Sequence, residues 1–391
     1  MSLSNITLSA AVRQNLLSLQ GTANLLASTQ EALATGKKVN SALDNPTNFF
    51  TAAGLDSRAS DISNLLDSIG NGVQVLQAAN TGITSLSSLV DTAKSIANQV
   101  LQQPLGYDTK STITSAAALP AGSTSTNLVD ATAIKSGETL AFAASGGLPA
   151  LTVTFGATES LAQLNTALGA GNLQASLDSS NNLIFTTTND NASSTVGAVT
   201  LGGTTGSATF GAAAAPVANA VSQATRASLV TQYNQIITQI TTTAQDSSFN
   251  GINLLNGDSL KMVFDETGKS TSTITGVTFS PAGLGLKSLT TGTDFLDTAS
   301  ANTVLTALNT ASVTLRSQAS AFGANLSIVQ IRQDFNKNLI NVLQTGSSNL
   351  TLADSNEEAA NSQALSTRQS IATSALALAN QSQQSVLQLL R

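Results

Sequence analysis

The sequence predicts a mainly α-helical chain with long coiled-coil helices at both ends, a rod with a β-hairpin, and a small α+β insert. Apolar residues recur at alternating steps of four and three towards both ends of the 391-residue chain. Residues 105–216 are instead rich in Gly, Ser and Thr and contain short strand-like runs. Two more such runs, 261–265 and 272–279, flank a turn that contains Gly268 and predict the hairpin.

The first segment, residues 1–36, is predicted to be a coiled-coil helix that ends at Gly36. Its heptad positions are Val12, Leu16, Leu19, Ala23, Leu26, Gln30 and Leu33. We expect residues 37–57 to form an irregular connector, because Asn, Asp and Pro cluster there. Phe49 and Phe50 in this connector fit a local hydrophobic plug and a contact with a neighbouring subunit equally well.

The middle of the chain predicts a rod. Residues 58–104 form one rod helix, residues 217–294 a shorter rod helix followed by the hairpin, and residues 295–350 a long rod helix. The heptad positions of the first are Ile62, Leu66, Ile69, Val73, Leu76, Asn80, Ile83, Ser87 and Val90. Those of the last are Ala301, Leu305, Leu308, Ser312, Leu315, Ala319, Phe322, Leu326, Val329, Gln333, Asn336, Ile340 and Leu343. Periodicity alone favours core packing in a bundle over assembly between chains.

The last segment, residues 351–391, is predicted to be a second coiled-coil helix. Its heptad positions are Leu365, Ala372, Leu376, Ala379, Gln383, Val386 and Leu390, and Arg391 is the final residue. Glu357 and Glu358 indicate a charged first helical turn rather than a catalytic carboxylate pair.

The composition excludes several classes of function. The chain contains no His and no Cys, which leaves no Ser-His-Asp triad, no thiol nucleophile, no disulfide and no zinc site of the usual Cys/His kind. We therefore expect no catalytic residue, no metal and no cofactor. A net charge of −6 and an aromatic content of 4% are the opposite of a nucleic-acid-binding surface.

The chain carries no pattern typical of a targeting segment. Its first residues lack the basic and apolar regions of a cleaved signal peptide, and no stretch is apolar enough to span a membrane. We expect a chain that does not enter membranes. The absence of thiols is compatible with export to an oxidising exterior.

Both ends of the chain resemble bacterial flagellin, the subunit of the flagellar filament. The N-terminal resemblance lies in LATGKKVNSALDNP (residues 33–46) and FFTAAGLDSRAS (residues 49–60). The central word is SSFNGINLL (residues 247–255), and the C-terminal word is ATSALALANQSQQSVLQLLR (residues 372–391). The resemblance covers roughly residues 1–104 and 217–391.

The resemblance implies a hairpin-shaped chain whose two ends pair in an inner coiled-coil layer, with the insert facing solvent. It implies a structural subunit, not an enzyme, that assembles into an extracellular filament for motility after export without a cleaved signal peptide. The residues that would carry self-association are Val12, Leu16, Leu19, Leu26, Leu33, Phe49, Phe50, Leu365, Leu376, Val386, Leu390 and Arg391.

The implied partners are identical subunits, the hook-filament junction and cap proteins, an export chaperone and the flagellar type III export apparatus. Two alternatives stay open. A hook-filament junction protein shares the plan of the terminal helices, although the closing Leu-Leu-Arg and the Phe-Asn-Gly word favour the filament subunit. A secreted adhesin or binding module would instead use the insert to recognise a ligand.

Overall fold

The computed structural model describes residues 10–203 and 208–389, and they form two compact units. The first unit contains residues 10–71, 262–272 and 328–389, and the second contains residues 72–203, 208–261 and 273–327. The predicted mainly α-helical class, with a β-rich insert, is confirmed. The helices are α1 (Ala10–Thr35), α2 (Pro46–Gln102), α3 (Leu161–Leu168), α4 (Ala220–Asp246), α5 (Thr298–Thr351) and α6 (Ser355–Leu389).

In the first unit, α1 packs against α6. Backbone hydrogen bonds join the two chain segments where these helices meet the rest of the unit. The N–H of Lys38 donates to the carbonyl of Thr351 at 2.8 Å, and the N–H of Ala353 donates to the carbonyl of Gly36 at 3.0 Å. The parts of α2 and α5 in this unit share a small apolar core around Ile62.

The connector is shorter than the sequence predicts. It was expected to cover residues 37–57, but α2 begins at Pro46, so Phe49 and Phe50 lie in its first turns. The Oδ1 atom of Asn45 accepts a hydrogen bond from the N–H of Asn48 at 3.0 Å and caps the helix. Proline suits the first helical position, because its missing N–H would have no partner there. The Asn-Pro pair therefore starts a helix instead of prolonging a loop.

The second unit contains the remaining parts of α2 and α5 together with α4. Every heptad position predicted on α5 is buried or half-buried in its own unit. In the part of α2 that belongs to this unit, the buried stripe is displaced slightly from the predicted heptad positions. Asn80 is exposed, whereas Ala79 and Leu86 are fully buried. An ideal helix of 3.6 residues per turn drifts against a 3.5-residue repeat, which accounts for such shifts along a long helix.

The SSFNGINLL word forms a tight turn after α4. Asn250 and Gly251 both have positive φ, at 51° and 81°, and Phe249 and Ile252 exchange two backbone hydrogen bonds of 3.0 Å. This is the conformation for which Asn-Gly is preferred. The buried side chain of Asn253 then donates to the carbonyls of Ala244 and Gln245, both at 2.8 Å, and closes the end of α4.

A glycine in α2 lets this turn approach closely. A Cβ atom at Gly82 would lie 2.2 Å from the Oγ atom of Ser247 and 2.7 Å from the side chain of Leu255. No larger residue fits at this position without displacing the turn. The SSFNGINLL segment is thus constrained by its contact with α2 as well as by its own backbone conformation.

The insert closes a hydrophobic core of its own. Two three-stranded antiparallel sheets, with strand orders β2-β6-β5 and β4-β3-β7, enclose the core together with α3. Ser160 caps α3, and it forms a capping box with Gln163. The strands are β1 (Tyr107–Thr109), β2 (Thr112–Thr114), β3 (Thr139–Phe142), β4 (Leu151–Thr154), β5 (Leu173–Leu177), β6 (Leu183–Thr187), β7 (Val199–Gly202) and β8 (Val217–Ala218).

Two short two-stranded sheets complete the fold. The strands β1 and β8 pair at the base of the insert, where Tyr107 lies opposite Ala218 and Thr109 opposite Val217. The predicted hairpin is present as β9 (Ser259–Val263) and β10 (Thr271–Thr275), which pair with each other.

Because the insert has its own core and leaves through β1 and β8, we expect it to be removable. Replacing residues 110–216 with Asn-Gly would join the paired ends of β1 and β8 by a two-residue turn. The shortened chain should retain its helices, and its melting temperature should change by no more than about 4 °C. Circular dichroism during heating measures both. Loss of the helical signal would show that the rod depends on the insert.

Candidate self-association surface

The residues of α1 that are predicted for self-association fall into two groups that differ in exposure. Val12 is buried, and Leu19 and Leu26 are half-buried. Leu16 and Leu33 instead remain 37% and 44% exposed. The intramolecular pair therefore covers only part of the predicted stripe.

The helix α6 is covered even less. Leu365 and Leu376 are half-buried, and no side chain described in residues 355–385 is fully buried. Val386 lies in α6, but its side chain is outside the described part of the chain, as are Leu390 and Arg391. The stripe of α6 keeps the predicted four-three spacing, with small residues at Ala372 and Ala379.

Large apolar side chains that the sequence analysis did not select lie on the outer faces of both helices. Leu17 and Leu25 of α1 are more than half exposed, as are Ile371 and Leu378 of α6. Single exposed apolar side chains are ordinary, but three leucines and one isoleucine on one helix pair form an apolar surface. The sequence does contain a signal for such exposed side chains. It is a second apolar residue directly beside a heptad position, as in Leu16-Leu17 and Leu25-Leu26.

Phe49 and Phe50 contact each other but differ in their exposure to solvent. Their rings pack edge to face, with centroids 5.5 Å apart. Phe49 is half-buried and lines a cleft of about 450 Å³ together with Ala52 and Leu352, whereas Phe50 is 67% exposed. Phe49 thus has the surroundings of a local plug, and Phe50 is free to contact another chain.

The connector between α1 and α2 is held by turn chemistry. The Oδ2 atom of Asp44 accepts hydrogen bonds from the N–H groups of Ser41, at 2.8 Å, and Asn40, at 3.0 Å. These bonds, with that of Ser41 first in importance, hold the pKa of the Asp44 carboxyl below its usual value. An ion pair between Arg58 and Glu266, at 2.6 Å, links α2 to the hairpin within the same unit.

Sequence reasoning missed a buried arginine in the second unit. Arg226 of α4 is 2% exposed, and its guanidinium donates to the carbonyls of Gln103, Pro104 and Phe295. It therefore joins the end of α2 to the segment that leads into α5. Burial lowers the pKa of the Arg226 guanidinium, and the charge of Asp297 acts in the opposite direction.

The carboxylate of Asp297 completes this junction. It is buried, and it accepts hydrogen bonds from the N–H of Ser300 at 3.0 Å and from the Oγ atom of Ser193 in the insert. The first bond caps the start of α5, and the second ties the insert to the rod. A sequence signal for Arg226 existed: it lies four residues before Val230 on the buried stripe of α4 that continues through Tyr233 and Ile237.

The described residues were compared with the requirements of a metal-ion site and of a membrane-spanning helix. Residues 10–203 and 208–389 contain no group of three His, Cys, Asp or Glu side chains placed to hold a metal ion. None of the helices within these ranges combines the length and the apolar character that crossing a membrane requires.

Comparison with known families and proteins matches both ends of the chain. The family model for the bacterial flagellin N-terminal helical region matches residues 5–119, and that for the C-terminal helical region matches residues 305–390. Flagellins FljM and FljK of Caulobacter vibrioides are each 32% identical over 164 residues, and FljO of the same organism is 30% identical. Each alignment covers 42% of this chain and 59% of the relative's length.

Arg226→Met should lower the free energy of unfolding of the second unit by about 3–5 kcal/mol, because three buried carbonyls lose their donor. Arg226→Lys should restore only part of this, since one ammonium cannot reproduce the fork of a guanidinium. Urea denaturation followed by circular dichroism measures the difference. The matched control is Arg316→Met at an exposed arginine, which should change stability by less than about 1 kcal/mol. Equal effects of the two Met variants would contradict the role of Arg226.

Tyr233 should make the second unit sensitive to alkali. Burial, followed by the charge of Asp294, raises its pKa from 10.0 to about 12. Below pH 10 the stabilisation is fully present. Between pH 10 and about 12 the folded chain keeps a proton that the unfolded chain loses, so stability falls by about 1.4 kcal/mol per pH unit.

The near-ultraviolet absorbance of tyrosinate measures this directly, because the chain has only two tyrosines and no tryptophan. Tyr233→Phe should remove the signal of Tyr233 and leave that of Tyr107, whose own pKa is raised by burial and by the charge of Asp297. A Tyr233 signal that titrates near pH 10 in the folded chain would contradict the expectation.

Proposed function

The chain belongs to the bacterial flagellin family, and on that premise we propose that it is a structural subunit that self-assembles into the extracellular flagellar filament used for motility. The observation that carries the proposal is the incomplete burial of the α1–α6 pair. Among the side chains that the structure describes, only Val12 and Ala32 of α1 and none of α6 are fully buried. Neighbouring subunits would complete a layer that the pair alone leaves open.

The energetics favour assembly over isolated pairing. Ordering the backbone costs roughly 1–2 kcal/mol per residue, and a thin two-helix pair recovers little of this through burial. Covering exposed apolar surface contributes about 25 cal/mol per Å². The exposed leucines of α1 and α6, together with Phe50, supply this surface. A heterologous contact that repeats without closing into a ring then produces a helical filament.

The proposal requires no catalytic step. It also covers the partners that the filament function implies. Identical subunits would be the main partner. The hook-filament junction and cap proteins, an export chaperone for the C-terminal helix and the flagellar type III export apparatus belong to the same proposal. No observation favours the alternative of a hook-filament junction protein. The adhesin alternative also lacks support, since residues 105–203 and 208–216 of the insert expose no large hydrophobic side chain.

The test uses two matched variants of α1. Leu16→Asp should abolish filament formation with a much smaller effect on the melting of the monomer, because 37% of this side chain is already exposed to water in the monomer. Gln14→Asp introduces the same charge at an exposed polar position two residues away and should assemble normally. Sedimentation and negative-stain microscopy after addition of filament seeds measure assembly.

The outcomes separate the proposal from its alternatives. Wild-type chain that remains monomeric under conditions that polymerise other flagellins would overturn the filament proposal. If Leu16→Asp assembles as well as Gln14→Asp, the exposed leucine stripe is not the contact that drives assembly.

A further inference from the structure

The chain contains three Asn-Gly pairs, and the structure places them in different surroundings. They are Asn71-Gly72, Asn250-Gly251 and Asn256-Gly257. An Asn side chain followed by Gly can react with its own backbone, because glycine has no Cβ atom to shield its nitrogen. In this reaction the nitrogen of the glycine attacks the side-chain carbonyl carbon of the preceding Asn. The fold therefore decides which of the three nitrogens is available.

The pair Asn71-Gly72 is protected by the helix α2. Both residues lie in the interior of this helix, where each N–H donates to the carbonyl four residues earlier. Gly72 is also buried, like Val73 after it. Attack by the nitrogen of Gly72 would require α2 to open in its interior.

The pair Asn256-Gly257 is exposed, but hydrogen bonds hold its backbone. The N–H of Gly257 donates to the carbonyl of Val277 at 3.1 Å. The N–H of Asn256 donates to the carbonyl of Asn253, also at 3.1 Å. A Cβ atom at Gly257 would lie 3.2 Å from the Oγ1 atom of Thr278, so this backbone has a close neighbour as well. The nitrogen of Gly257 is therefore engaged in the folded chain.

The pair Asn250-Gly251 differs from both of the others. Its residues are exposed and occupy the two central positions of the turn after α4. Among the described residues, no hydrogen bond engages the N–H of Gly251. A Cβ atom at Gly251 would have nothing within 4 Å. The nitrogen of Gly251 is therefore free, with open space around it.

This turn has to open before Asn250 can react, and few contacts oppose the opening. Asn250 has a φ of 51°, in the left-handed region that residues with a side chain seldom occupy. Two backbone hydrogen bonds between Phe249 and Ile252 close the turn, and Phe249 is itself 36% exposed. Exposed turns open locally at a lower cost in free energy than the interior of a packed helix.

We propose that Asn250 is a site of self-modification, at which the side-chain amide is lost as ammonia. The nitrogen of Gly251 forms a bond to the side-chain carbonyl carbon of Asn250 and closes a succinimide ring. The proton of this nitrogen passes to the departing amide nitrogen, whose bond to carbon breaks. Water then opens the ring at either carbonyl and leaves aspartate or isoaspartate. The reaction needs only solvent water, and it does not depend on the proposed filament function.

The modification would disturb the contact between the turn and α2. In isoaspartate the backbone continues through the side chain, which lengthens it by a methylene group, and both products add a negative charge. The residues that follow are closely placed. Asn253 closes α4 through two hydrogen bonds of 2.8 Å, and Leu255 lies against Gly82. We expect a lengthened turn to weaken both contacts.

Hydroxylamine tests the proposal, because it attacks the succinimide and cleaves the chain after the reacting Asn. In the unfolded chain all three Asn-Gly bonds should be cleaved at similar rates, which provides an internal reference. In the folded chain the Asn250-Gly251 bond should be cleaved about tenfold faster, or more, than the other two. Mass spectrometry of the fragments identifies the cleaved bond, and circular dichroism shows whether the helices are retained.

The matched variant is Asn250→Asp, because aspartate tolerates the left-handed conformation while its carboxylate is a much poorer acceptor for the attacking nitrogen. This variant should keep the helical signal and resist cleavage at this bond. Prolonged incubation at mildly alkaline pH should lower the melting temperature of the wild-type chain by about 2–4 °C. The melting temperature of Asn250→Asp should stay unchanged.

Three results would count against the inference. Cleavage of the folded chain after Asn71 or Asn256 as fast as after Asn250 would overturn it. So would a folded chain whose Asn250-Gly251 bond stays intact under conditions that cleave the unfolded chain. An incubated wild-type chain that melts like the fresh chain would overturn the expected effect on the contact with α2.

Discussion

The narrowness of the heptad stripes is the constraint on which the structure depends. An apolar stripe of two residues in seven gives a helix one face to bury, and the α1–α6 pair buries it only in part, with Val12 and Ala32 as the fully buried residues of α1. A chain in which 10% of residues are charged cannot compensate for this with ion pairs. In the proposed filament, helices from other copies would cover the remaining apolar surface.

The insert does not share this need for helices from other copies, because it meets the long helices at the junction around Arg226. Three carbonyls from two chain segments converge on one guanidinium, and Asp297 caps α5 beside it. A buried charge is costly unless its hydrogen bonds are satisfied, and here the carbonyls supply them. The junction therefore fixes where α2 ends and α5 begins, while the insert closes its own core between β1 and β8.

The exposed apolar faces fall into two sets, which differ in whether they continue a stripe that is already packed. The terminal pair exposes leucine and isoleucine beside a partly covered stripe, so its surface extends an existing contact. An exposed stripe on α5, formed by Ile328, Ile331, Phe335 and Val342, has no such continuation, because a separate inner face already packs in its unit. The two exposed surfaces are therefore separate from each other.

The sequence by itself determined the helical class, the periods of the long helices and the hairpin around Gly268, because each follows from local spacing or backbone preference. Only the tertiary structure decided which side chains of a stripe are covered. Val12 and Leu16 both lie on the predicted stripe of α1, but Val12 is 3% exposed and Leu16 is 37% exposed. The burial of Arg226 and the exposed flank of α5 likewise depend on neighbours distant in sequence, which periodicity does not identify.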